Sequence, residues 1–158
     1  MTKPRVAISM MGALVLALIC HLTAPAQAKV QNPAHALLNL YQVAQEIIKD
    51  PAADFEKGRN PDFPHPSAIQ AQWDASMSAY GTHLSTEERQ LFPACAAHLN
   101  AAITDMEIGY RIKISQPSAA AQQSAQTRFD EAPGEVAQCT AAIKLAQSEV
   151  GSSTNKQQ

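Results

Sequence analysis

The sequence predicts an all-α protein, a bundle of four to five helices. Three observations carry this. Apolar residues recur at steps of three and four in several separate segments beyond residue 32. Those segments begin and end at residues that start and stop helices. No segment of useful length alternates polar and apolar residues as a half-buried strand does, Ile112-Lys113-Ile114 being too short.

The first helix is expected to open at Asn32, a good N-cap, with Pro33 in the first helical position. Leu37, Leu40, Tyr41, Ala44, Ile47 and Ile48 form its apolar stripe, with Val43 to one side. Asp50-Pro51 ends it, because a residue before proline is pushed out of the helical region. Residues 51–66 hold prolines at 51, 61, 64 and 66 and are expected to form an extended loop. Phe55 and Phe63 are expected to tack that loop to the core or to serve as an exposed contact. A second helix is expected from Ser67 to Tyr80, with Ile69, Trp73, Met77 and Tyr80 on one face and Gly81 as its stop.

The third helix is expected to start at Ser85, where Ser85-x-x-Glu88 reads as a capping box. Its stripe is Leu91, Phe92, Cys95, Leu99, Ile103, Met106 and Tyr110, and it should stop before Pro117. Pro93 lies inside this pattern, so a kink or fresh start is expected near Phe92. Residues 118–131, rich in Ala, Gln and Ser, have good helix propensity and Phe129 as their one large apolar residue. Pro133-Gly134 is expected to interrupt them. A last helix then carries Val136, Cys139, Ile143, Ala146 and Val150, and residues 151–158 are expected to be a disordered polar tail. No internal repeat is evident.

Residues 1–28 read as a cleavable secretory signal peptide. Lys3 and Arg5 supply the positive start, Val6–Leu22 the apolar stretch, and Ala26-Gln27-Ala28 the cleavage site. The stretch, about 17 residues, is at the short edge for spanning a bilayer, and Pro25 breaks it. Ile19 before Cys20 is too large for a lipidation site. Removing these 28 of the 158 residues leaves 130, enough for a single helical domain over 29–150. Loss of Lys3 and Arg5 from the twelve basic residues leaves ten against fourteen acidic ones, a net charge of about −4. No basic patch is visible, so nucleic acid is not the expected partner, and no second long apolar run predicts a membrane span. The expected destination is the periplasm or the exterior. There an even pair of cysteines, Cys95 and Cys139, predicts one disulfide.

Chemistry-bearing patterns are few. His35, His65, His83 and His98 do not pair at helical spacing, and Cys95-x-x-His98 cannot bind metal as a thiolate while Cys95 is in a disulfide. C-x-x-C-H is absent, and Met77 and Met106, the conceivable haem ligands, fit the apolar stripes. No G-x-S-x-G occurs. Glu87-Glu88, Asp105/Glu107 and Asp130-Glu131 read as a helix first turn and solvated faces. Arg89, Arg111, Lys113 and Arg128 could line an anion site, but the first helix offers no arginine to complete one. Leu84-Ser85-Thr86-Glu87-Glu88-Arg89-Gln90 is similar, over seven residues, to the Leu-Thr-x-x-Gln turns of periplasmic stress chaperones; the capping box by itself accounts for these residues.

No catalytic, cofactor or metal site is therefore expected. The favoured reading is a small exported binding protein, an immunity or inhibitor protein that neutralises a toxin or effector. Phe55, Arg59, Phe63 and His65 are its expected contact residues. The acidic balance suits a basic partner. The rival readings are a periplasmic stress chaperone or metal-responsive helper, and a small helical enzyme or haem carrier; a homodimer is left open.

Overall fold

The computed structural model describes residues 30–55 and 66–155. The expected signal peptide and the expected contact residues Arg59, Phe63 and His65 lie outside the described residues. The protein is all-α. Its helices are α1 (Pro33–Lys49), the short α2 (Pro51–Phe55), α3 (Pro66–Tyr80), α4 (Thr86–Ser115), α5 (Ala119–Ala137) and α6 (Thr140–Asn155), with a 3-10 turn at Gly81–His83. Among the described residues there is no strand, and no helix is long and apolar enough to cross a membrane.

Helix α1 is the centre of the bundle and packs against each of the other five helices. Asn32 caps it, its side-chain oxygen accepting from the Ala34 amide at 2.8 Å, with Pro33 at the first position. Leu37, Leu40, Ala44 and Ile47 are buried as the periodicity predicts, and so are Ala34, Ala36 and Val43. Burial therefore spreads well beyond one stripe. The exposed residues His35, Gln42, Gln45, Glu46 and Lys49 make a narrow polar seam, which is what a helix surrounded by neighbours retains.

Over 51–55 the chain does not run extended as expected, while 56–65, the rest of the expected loop, lie outside the described residues. Pro51 starts α2, since its fixed φ suits a first helical position. In α3, Ile69 and Trp73 are buried, Met77 is partly so, and Tyr80 is 42% exposed. Ser76 takes the inward position instead of Tyr80. It is fully buried, its hydroxyl donating to the Gln72 carbonyl at 2.8 Å.

Helix α4 opens with the predicted capping box. The Ser85 hydroxyl accepts from the Glu88 amide at 3.2 Å, and the Glu88 carboxylate accepts from the Ser85 amide at 2.7 Å. The helix passes through Pro93 unbroken, which leaves a kink and not a fresh start as the alternative open there. Pro93 is exposed, so the carbonyl one turn earlier that it leaves unpaired can bond solvent. Helix α5 likewise runs through Pro133-Gly134, both exposed, and is not interrupted there. It ends four residues later, where Gln138 and Cys139 donate to the carbonyls of Glu135 and Val136 in tightened i→i+3 bonds. Val136 thus belongs to α5 rather than to the last helix. Helix α6 continues to Asn155, so the polar tail expected from 151 is helical over 151–155.

Helices α4 and α5 form an antiparallel hairpin. His98 meets Glu135, Asp105 meets Arg128, and Gly109 meets Phe129. The Cys95–Cys139 disulfide is present, with Cα atoms 4.8 Å apart and both cysteines buried. Cys139 sits at the junction of α5 and α6, one residue before α6 begins, so the bridge fixes that corner to α4.

Candidate functional site

The expected contact residue Phe55 is partly buried. Its ring lies 5.8 Å from that of Tyr110, tilted by 31°, and α2 packs along α4. This is the tacking role that two phenylalanines in a proline-rich segment suggest, and it takes much of the Phe55 ring out of reach of a partner. One turn beyond Tyr110 on the same helix, Ile114 is 61% exposed.

The four cations considered for an anion site do not converge. Arg111 pairs with Glu107 at 2.6 Å along α4, Arg128 of α5 pairs with Asp105 across to α4, and the Lys113 ammonium stands 5.8 Å from the centre of the Phe129 ring. Arg89 is exposed near the start of α4. The paired acids are equally divided in role. Glu88 caps α4, Asp105 and Glu107 hold arginines, and Asp130 accepts from Gln126 at 2.8 Å. Met106 is buried and Met77 packs against the core. His98 is held by Glu135, Nδ1 to Oε2 at 2.6 Å, a cross-helix pair that spacing could not reveal because its members lie 37 residues apart.

Helix α4 presents a surface that periodicity alone did not single out. Every exposed residue from Pro93 to Ile108 is uncharged: Pro93, Ala94, Ala97, Ala101, Thr104 and Ile108. At 100° per residue these six fall within a band roughly 100° wide, and they extend over about 23 Å of helix. The charged and strongly polar side chains of this stretch, His98, Asn100, Asp105 and Glu107, lie outside the band. His98 and Asp105 turn toward α5, Asn100 donates to Gln70 of α3, and Glu107 holds Arg111. The uncharged band thus runs between the α3 and α5 flanks of α4.

Comparisons with known protein families, curated proteins and solved structures find no match to this chain.

Proposed function

We propose that this chain is an exported helical binding protein that acts without catalysis, by direct contact with a protein partner, as an immunity or inhibitor protein does when it neutralises a toxin or effector. The observation that carries the reading is the uncharged face of α4. Depletion of charge is one mark of the core of a protein interface. In a chain with net negative charge, an unbroken charge-free strip on the longest helix is a surface kept free of desolvation cost. The disulfide supports the export half of the reading, since such bridges persist in oxidising compartments. The signal-like residues 1–28 support delivery to the periplasm or the exterior. Arg59, Phe63 and His65 extend the proposed contact on sequence grounds.

The test is co-expression of the chain with each secreted toxin or effector encoded beside its gene, followed by calorimetric titration of the purified pair. The wild type is expected to protect the cell and to bind. Ala97→Glu should weaken binding by about a hundredfold, the scale of burying unpaired charge, and leave the melting curve nearly unchanged because the site is exposed. Phe63→Ala and Arg59→Ala should weaken it less. Failure to bind or protect against any such protein would overturn the proposal. Wild-type affinity in that variant would remove α4 from it.

A further inference from the structure

We draw no further inference here: the strongest candidate, the exposed uncharged face of α4 from Pro93 to Ile108, belongs to the site already described, and nothing in the structure shows what covers it.

Discussion

At Gly109 the absence of a side chain has a measurable consequence. A Cβ built there would lie 2.8 Å from Cε1 of Phe129 and 3.2 Å from the Ala125 carbonyl. The obstacle includes α5 backbone, which cannot rotate away. Gly109→Ala should therefore destabilise the protein by about 1–3 kcal/mol, the usual cost of overpacking, despite the better helix propensity of alanine. Chemical denaturation checks this, and Phe129→Leu in the same chain should recover part of the loss. Gly134 is the opposite case. Nothing stands within 4 Å of its would-be Cβ, and it lies in the last turn of α5. Gly134→Ala should stabilise by about 0.5–1 kcal/mol, seen as a raised melting temperature. The two glycines look alike in the sequence. Only the neighbour 20 residues away, Phe129, distinguishes them. Tyr80 shows the same limit: it continues the face of Ile69, Trp73 and Ser76, but it is the last residue of α3 and is exposed.

The starts of helices were legible because their signals are local. Asn32-Pro33 and Ser85-x-x-Glu88 make the bonds that their residue types imply. The ends and interruptions were less so. Pro93 invites a kink or a fresh start and Pro133-Gly134 an interruption, yet both helices continue through them, each proline facing solvent. Exposure at one residue is a tertiary property, and it overrode the local preference. The corner between α5 and α6 falls instead at Gln138-Cys139, where Cys139 is bonded to Cys95. The bridge closes a loop of 44 residues in sequence, for which chain entropy gives roughly 4 kcal/mol. Reduction, or the Cys95→Ala and Cys139→Ala pair, should lower the denaturation midpoint by a corresponding amount. An unchanged midpoint would mean that the oxidised bond contributes nothing to stability. His98–Glu135, about one-third exposed at both ends, should add no more than about 1 kcal/mol beside it.

Across the whole molecule, the all-α class was legible, whereas the candidate binding face was not. Periodic patterns report what a helix buries. The outer band of α4 becomes visible only when α3 and α5 are seen to claim the polar residues on either side of it. The contact residues expected from the sequence were chosen for their position in a proline-rich segment, and Phe55 proved to be occupied with Tyr110. The export reading makes its own prediction. The protein recovered from the exporting cell should begin at Lys29, and its intact mass should rise by two hydrogens on reduction. An N-terminus at Met1 in the exported fraction would exclude cleavage.

The central position of α1 makes its burial depend on both ends of the chain. The α4–α5 hairpin joins neighbours in sequence and can form early, as local contacts do. α1 has its sides covered by α3, α4, α5 and α6, so its burial is complete only when α6 is in place. Until α6 arrives, the apolar residues of α1 remain partly uncovered, and a chain halted before residue 140 would carry a sticky, unfinished centre. The first and last helices thus complete each other's apolar faces, and removal of α6 from Thr140 onward should cause aggregation before it causes any selective loss of binding.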